Sequence, residues 1–556
     1  MNSTSIPKDD LNAMFRVSIP QPNAGPEALR RRVEAALLPN NLFELLETCA
    51  SDSADRIAMD FFEDGRQITY GDFAADASKA AQGLKGLGVR KASRVALMTP
   101  NILENLVAWF ALLKLGAVTV PINPNSTTRE IDFMLGDSGA DILITVEDLH
   151  EKLLACESMP KLRATVTIGA GALPGGVSWS ELLVSDTATG IADEPVQTGD
   201  LANIQYTSGT TGFPKGCLLT HEYWLKLGWV VAEEIETSLD KLLVPQPLFY
   251  MEPLYVLIMS MFNRATFCCA RRISSTRLLD WIKTLGINYC NFPELVLRQP
   301  QKADDRENEL RLVHGFGINP ARRQEIEDRF GTIAREAYGT TELGAVLYVP
   351  RAATEKAKSA TCGIPAPFRE VKILRPDNQP AAAGELGELW VRGPGISLGY
   401  NNRPDATKRA HVDGWFRTGD LFTMDQEGWY RFEGRLNDVI RRSSEFISAY
   451  EVEHVISKLE AVRQVAVVSV ADDRRGEEVR ACIVLGDEAA PDALPPATIA
   501  AHCVTALAPF KVPRFITYLP TLPMTANGDK VDKPRLQQVI LSTNPATFDR
   551  ETSQWS

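Results

Sequence analysis

The chain has 556 residues, 44% hydrophobic and 23% charged, which at roughly 150 residues per domain accommodates three or four domains and a core that needs neither disulfides nor metals. With 59 Lys and Arg against 71 Asp and Glu, the net charge is −12. This excludes whole-surface attraction to nucleic acid or anionic membrane, while leaving room for a local site that takes a phosphorylated ligand.

Residues 1 to about 30 are polar and read as a mobile lead-in without the charged-then-apolar order of a signal peptide. From there to about 200, helical patterns alternate with β-branched runs. Ser93–Met98 reads as a strand, a helix follows through Leu106, Phe110 and Leu113, and Ala117–Val120 is the next strand. The apolar stretch Leu106–Ile122 is interrupted by Lys114 and Gly116, so it reads as a buried helix entering a strand and not as a membrane span. The rhythm returns near Leu242, Ile287 and Leu312 and predicts parallel sheets covered by helices. From 365 to 435, short alternating runs between Gly and Pro clusters predict a small antiparallel, barrel-like β subdomain. After Gly434, a helix at Glu451–Leu459 and strands at Val465–Val470 and Arg480–Leu485 predict a small α+β module.

The expected fold class is therefore α/β. A large N-terminal domain (1–434) is followed by a mobile C-terminal domain (435–545) and a disordered tail (546–556). Nine scattered cysteines without a CxxC pair and six isolated histidines read as reduced thiols in a cytoplasmic protein, not as a disulfide framework or zinc site.

Tyr206–Gly216 is the most informative segment: it reads YTSGTTGFPKG. Glycines let backbone N–H groups turn toward an anion, the hydroxyls of Thr207, Ser208, Thr210 and Thr211 donate to phosphate oxygens, and Lys215 adds positive charge. Lys215 lies between Pro214 and Gly216, so this is not a Walker A loop, which ends Gly-Lys-Ser/Thr.

This segment resembles the phosphate loop of the adenylate-forming superfamily, which includes acyl-CoA synthetases. Four further segments match in order: Tyr338–Glu342 (YGTTE), Gly414–Asp420 (GWFRTGD), Gly434–Asp438 (GRLND) and Asn527–Lys533 (NGDKVDK). The resemblance covers roughly residues 40 to 540. It implies ATP, Mg2+ and coenzyme A, with Thr207, Ser208, Gly209, Thr210, Thr211 and Lys215 on phosphate. Glu342 would act in catalysis and hold Mg2+, and Gly339, Thr340 and Thr341 would sit beside the nucleotide. Tyr338 and Gly315-Phe316-Gly317 would pack the adenine, Asp420 and Arg435 would fix the ribose, and Lys530 would be the catalytic lysine. Asn437 would be the hinge, and Arg441, Arg442 and Ser443 would meet CoA, with Arg474 and Arg475 as further phosphate partners.

Several positions depart from the family pattern. Asp529 separates Gly528 from Lys530, Ser444 replaces a glycine beside the thiol tunnel, and Phe446 replaces an asparagine. The acyl pocket falls on Pro247–Tyr255, where Tyr250 stands in place of the aspartate of amino-acid-activating relatives. Trp224, Tyr250 and Met251 are the substrate candidates, with Trp229 and Tyr255 as further rings and Glu252 as the only nearby acid. This composition suits an aromatic or a cationic acid. The expected activity is an ATP-dependent carboxylate–CoA ligase that forms an acyl-adenylate, then an acyl-CoA thioester, and releases AMP and pyrophosphate. Its partners would be a small carboxylic acid and CoA, with no nucleic acid, no membrane span, and a homodimer admitted. The alternatives are loading of a separate carrier protein and a non-catalytic nucleotide-binding regulator.

Overall fold

The computed structural model describes residues 25–184, 194–207, 214–292, 294–318, 320–442, 445–486, 494–525 and 531–556. A first compact unit comprises the described parts of 25–207, 214–371 and 391–416. A second comprises those of 372–390 and 417–556.

Two seven-stranded sheets build the first unit. One runs in the order Val177–Ser178, Ala164–Ile168, Ile142–Val146, Arg94–Met98, Val118–Pro121, Leu201–Thr207, Lys215–Thr220. The neighbours are parallel except the last pair, a hairpin. The other runs Ala334–Arg335, Leu312–His314, Tyr289–Asn291, Lys241–Val244, Thr266–Cys269, Ile57–Phe61, Arg66–Thr69, and only its last pair is antiparallel. Leu106, Phe110 and Leu113 lie on helix Leu103–Lys114, which enters strand Val118–Pro121, and among the described residues no helix is long and apolar enough to cross a membrane. Helices Leu42–Asp52, Tyr70–Gly86, Leu103–Lys114, His221–Glu234 and Met251–Asn263 share one continuous core with both sheets. The parallel strands explain the unbroken apolar runs, because both faces of each sheet are covered.

The mobile lead-in expected to about residue 30 is corrected over its last residues. Helix Pro26–Ala35 starts inside it and buries Leu29 and Val33, and residues 1–24 lie outside the described residues.

Strand Tyr430–Arg435 pairs with Trp415–Met424 in the small β subdomain. It also packs against the helix that follows it. Phe432 meets Tyr450 edge-to-face at 5.1 Å, and the Ser448 hydroxyl donates to the Glu433 carbonyl. These contacts place the last β strands with the C-terminal module, so the compact units do not divide at Gly434.

In the C-terminal module, the long hairpin Val462–Asp472/Gly476–Leu485 is flanked by Val439–Arg442 and, in parallel, by Phe515–Tyr518. The disordered tail expected after Pro545 is corrected by the structure. Strands Thr547–Asp549 and Gln554–Trp555 form a hairpin on the edge of Phe515–Tyr518. Trp555 packs on Phe548, with ring centroids 5.6 Å apart, and Arg514 reaches both Asp549, at 3.0 Å, and Asp472, at 2.9 Å. The tail's acids are counterions for Arg475 and Arg514, which composition alone does not reveal.

Two stability measurements test this packing. Deleting residues 546–556 uncovers the edge of Phe515–Tyr518 and breaks the Arg514 pairs, so Tm of the full-length protein should fall by about 2–4 °C; an unchanged Tm would show that the hairpin is not part of the module. The second concerns His221, whose Nδ1 accepts from the Leu42 N–H at 3.2 Å and whose pKa burial lowers to about 4. The unfolded imidazole binds a proton below about 6.5 and the folded one only near 4, so its contribution is intact above pH 6.5 and is lost as pH falls. Tm should drop from pH 6.5 to 4.5, with a shallower slope in His221→Gln.

Candidate active site

The hairpin Leu201–Thr220 brackets the segment expected to meet phosphate. Thr207 pairs with Lys215 across it, and the Thr207 hydroxyl donates to the Lys215 carbonyl at 3.4 Å. Ser208, Gly209, Thr210 and Thr211 lie outside the described residues. Gly216 is required by crowding, because a Cβ there would stand 2.6 Å from Ile204 Cγ2 and 3.2 Å from the Tyr206 ring. Tyr206 leans over it to donate to Asp137 at 2.8 Å.

A third segment closes on the hairpin. Asn401 N–H donates to the Gly216 carbonyl at 2.8 Å, Leu218 N–H to Gly399 at 2.9 Å, and Cys217 pairs with Tyr400. Tyr400 consequently joins two of the expected residues. Its hydroxyl donates to Glu342 Oε1 at 2.8 Å, and the Lys215 ammonium lies 5.2 Å from its ring centroid. Ser397 N–H holds the Glu342 carbonyl at 2.7 Å. Arg369, buried just after this turn in space, donates to the carbonyls of Leu343, Ala345 and Pro394. Burial pulls its pKa down to about 10, so it remains a cation at neutral pH.

Glu342 ends the Tyr338–Glu342 motif, whose Ala337–Thr340 strand forms a hairpin with Gly344–Tyr348. Mg2+ is normally held by one or two carboxylates together with phosphate oxygens and water. A partly exposed Glu342 with one oxygen engaged by Tyr400 fits that donor set. Thr340 Oγ1 is buried beside it without a hydrogen-bond partner among the described residues, which adds a polar atom suited to a ligand.

Gly315-Phe316-Gly317 follows the C-terminal end of strand Leu312–His314, and Tyr338 follows that of its parallel neighbour Ala334–Arg335. Gly317 takes φ +69°, and its N–H donates to Glu336 at 2.8 Å. Phe316 is 48% exposed, and its ring centroid lies 6.0 Å from that of His314. Gly339, Thr340 and Thr341 are in the same hairpin region.

In the second unit, Asp420 lies opposite Arg435 in the Trp415–Met424/Tyr430–Arg435 hairpin. Asp420 is buried, and Arg435 Nε approaches its carboxylate at 3.5 Å. The turn before it is fixed by Thr418, which donates to the Leu389 carbonyl at 2.7 Å.

Tyr250 is the N-cap of helix Met251–Asn263, and its ring centroid is 4.4 Å from that of Phe249. Phe249, Tyr250, Met251 and Glu252 are all partly exposed, whereas Pro253–Phe262 are buried. Two polar side chains clamp the preceding loop. Asn101 donates to Gln246 and Ala270 carbonyls and accepts from Leu248 N–H, and Gln205 donates to the Phe249 carbonyl at 2.7 Å. Trp224 is fully buried, packed edge-on against Trp109 and Tyr223. Its ring surface is therefore occupied by protein, and Trp229 likewise packs on Phe262.

Lys530 and Ser443 lie outside the described residues. Asn437 falls in the turn Leu436–Asp438, and Arg441 in strand Val439–Arg442. Arg442 is held by Glu478 at 2.8 Å, and Arg475 by Glu478 and by Glu551 at 2.5 Å. Lys533 is engaged by Glu453 at 2.8 Å and Asp438 at 3.4 Å.

The sequence reading missed Tyr400, Asn401, Asp137, Asn101, Gln205 and Arg369. The Gly399-Tyr400 pair after a Pro/Gly cluster was the one local signal; the others act through contacts distant in sequence.

The profile of the AMP-binding enzyme family matches residues 46–401, and that of the AMP-binding enzyme C-terminal domain matches 451–529. The chain belongs to the AMP-binding enzyme family. It is 31% identical over 548 residues to the putative acyl-CoA synthetase YngI of Bacillus subtilis (strain 168), covering 91% of this chain and 98% of that one. It is also 31% identical over 477 residues to a feruloyl-CoA synthase of Amycolatopsis sp, covering 84% and 92%. Among solved structures, o-succinylbenzoate CoA synthetase (MenE) from Bacillus subtilis with ATP and magnesium ion superposes with a TM-score of 0.78 at 26% identity, over 90% of this chain and 100% of that one. The anthranilate CoA ligase AuaEII shares the fold, with a TM-score of 0.81 at 23% identity over 92% and 99%. This AMP-binding enzyme is an AMP-forming acid–CoA ligase.

Tyr400→Phe removes the donor to Glu342 and keeps the ring. A hydrogen bond to a charged group contributes about 1.5–3 kcal/mol, so loss of the one that positions Glu342 should slow pyrophosphate exchange by about tenfold or more, whatever the accompanying fall in Tm. Unchanged exchange with a lowered Tm would make Tyr400 a stability residue only.

Proposed function

We propose that this enzyme activates a small aromatic carboxylic acid, using the residues that the family resemblance assigns. A carboxylate oxygen attacks the α-phosphorus of ATP and the bond to pyrophosphate breaks, leaving an acyl-adenylate. The thiol sulfur of CoA then attacks the acyl carbon and loses its proton to solvent, and AMP leaves as the C–O bond breaks. The Lys215–Tyr400–Glu342 cluster carries this reading, because it joins a phosphate-loop cation to the carboxylate suited to Mg2+.

Thr207, Ser208, Gly209, Thr210, Thr211 and Lys215 would cradle phosphate oxygens, and Asp420 with Arg435 would fix the ribose. Glu342 would hold Mg2+, which when bound neutralises charge on the phosphates. In the 527–533 segment the catalytic ammonium is assigned to Lys530, since Lys533 is already neutralised by Glu453 and Asp438. A positioned ammonium lowers repulsion among three anionic reactants and stabilises charge as it spreads. Arg442 and Arg475 neutralise Glu478, so Arg441, Ser443 and Arg474 carry the proposed contacts to CoA, with Asn437 as the hinge. An aromatic acid is favoured by the partly exposed Phe249–Tyr250 ring pair and by the feruloyl-CoA synthase relative. All nine cysteines are buried free thiols, which supports a reducing, cytoplasmic setting.

The two half-reactions separate the roles. Lys530→Ala should lower pyrophosphate exchange by about 100-fold or more, roughly 3 kcal/mol of transition-state stabilisation. Thioester formation from a supplied acyl-adenylate should stay within a few-fold. Equal losses in both half-reactions would remove Lys530 from adenylation, and AMP release that does not depend on CoA would favour a carrier-protein acceptor.

A further inference from the structure

Helix Met251–Asn263 is mostly apolar and carries one carboxylic side chain, Glu252, in its first turn. Tyr255 is one turn further on and shares its face. From there a polar chain runs through the interior. Asn291 Nδ2 donates to Tyr255 Oη at 2.7 Å, Tyr289 Oη donates to Asn291 Oδ1 at 2.8 Å, and Tyr289 Oη and His314 Nδ1 are 2.9 Å apart. Burial pushes the Glu252 carboxyl up to about 7, and the neighbouring Asn291 amide opposes that rise. Tyr255, Tyr289, Asn291 and His314 are all buried. Glu252, at the end of the chain, is partly exposed beside Phe249, Tyr250 and Met251.

The topology says what this open end faces. Asn291 and His314 are register partners at the C-terminal ends of adjacent parallel strands. Ligands of parallel α/β sheets bind outside those ends. Burying linked polar groups is costly unless each is satisfied. The inner four are linked to one another, and Glu252 is the member of the group that is partly exposed. The chain supplies neutral dipoles, and burial lowers the His314 pKa to about 4, so His314 is a neutral partner at physiological pH. A hydroxyl continues such a chain, since it can donate to a carboxylate and accept from a neutral carboxyl, while Phe249, Tyr250 and Met251 offer surfaces to the ring that bears it.

We propose that Glu252, oriented by Asn291, is a specificity-determining residue of the acyl site and accepts a hydrogen bond from a hydroxyl group on an aromatic substrate acid. This rests on the acid–CoA ligase reading above and adds the substrate class.

The test measures CoA-dependent AMP release by the full-length enzyme on matched aromatic acids that differ only by a ring hydroxyl, such as 4-hydroxybenzoate with benzoate and 4-hydroxycinnamate with cinnamate. A quaternary-ammonium acid is run alongside. The wild type should favour the hydroxylated member by about tenfold or more in kcat/KM, because a site built to bond a hydroxyl rejects the analogue lacking it. In Glu252→Leu that ratio should fall toward one. Asn291→Leu, which removes the orienting amide and leaves the carboxyl, should lower the ratio mainly through KM for the hydroxylated acid. Glu252→Gln covers the case in which the leucine variant does not fold, and should lower the ratio partway.

Equal preference for the two members in the wild type, or an unchanged ratio in the variants, overturns the proposal and leaves the ligase reading standing. A preference for the quaternary-ammonium acid that disappears in Glu252→Gln overturns the hydroxyl assignment in favour of a cation. Activity on no carboxylate at all removes the ligase reading and this proposal with it.

Discussion

The closing of residues 398–401 onto the Leu201–Thr220 hairpin is the contact on which the candidate site depends. Backbone hydrogen bonds from Asn401 and to Gly399 set the approach, and Tyr206 can lie over Gly216 only because that residue has no side chain. Once the segment is docked, Tyr400 reaches Glu342 and lies near the Lys215 ammonium. Three residues far apart in sequence thus meet through main-chain geometry, and their side chains need little further ordering when a ligand arrives. Reduced reorganisation of this kind is what makes a polar site effective.

Charge is distributed with the same economy. The chain carries a net −12 yet handles ATP and CoA, both polyanions. Many cations are already committed within the fold. Arg442 and Arg475 neutralise the buried Glu478, Lys533 serves Glu453 and Asp438, and Arg369 is spent on carbonyls. Binding of the anionic substrates falls to a few local donors, and such a balance is sensitive to salt.

The acyl side is built differently, with amide side chains setting backbone position. Asn101 and Gln205 clamp residues 246–249, so the start of helix Met251–Asn263 is presented from a fixed loop. Its aromatic candidates then divide by burial. Tyr250 and Met251 border open space, whereas Trp224 belongs to the core shared by both sheets.

Much of this was legible in the residues. Apolar runs separated by helical periodicity specify parallel strands whatever the ligand, and the Thr207–Gly216 and Tyr338–Glu342 segments could be singled out from short, local spacing. The order of motifs along the chain was equally plain. Long-range pairings were not legible: Tyr400 beside Glu342, Asn291 beside Tyr255, and Arg514 beside Asp549 each join residues separated by about 35 positions or more. The tail shows the reason most directly. Its polar composition predicted disorder, yet its Asp549 found Arg514, just before a neighbouring strand, and its Trp555 found Phe548. Local sequence determined which segments form strands, helices and turns, because those depend on a residue's near neighbours. Tertiary packing alone decided which polar groups are consumed inside the fold and which remain for a substrate, because desolvation and hydrogen-bond partners exist only once distant segments meet.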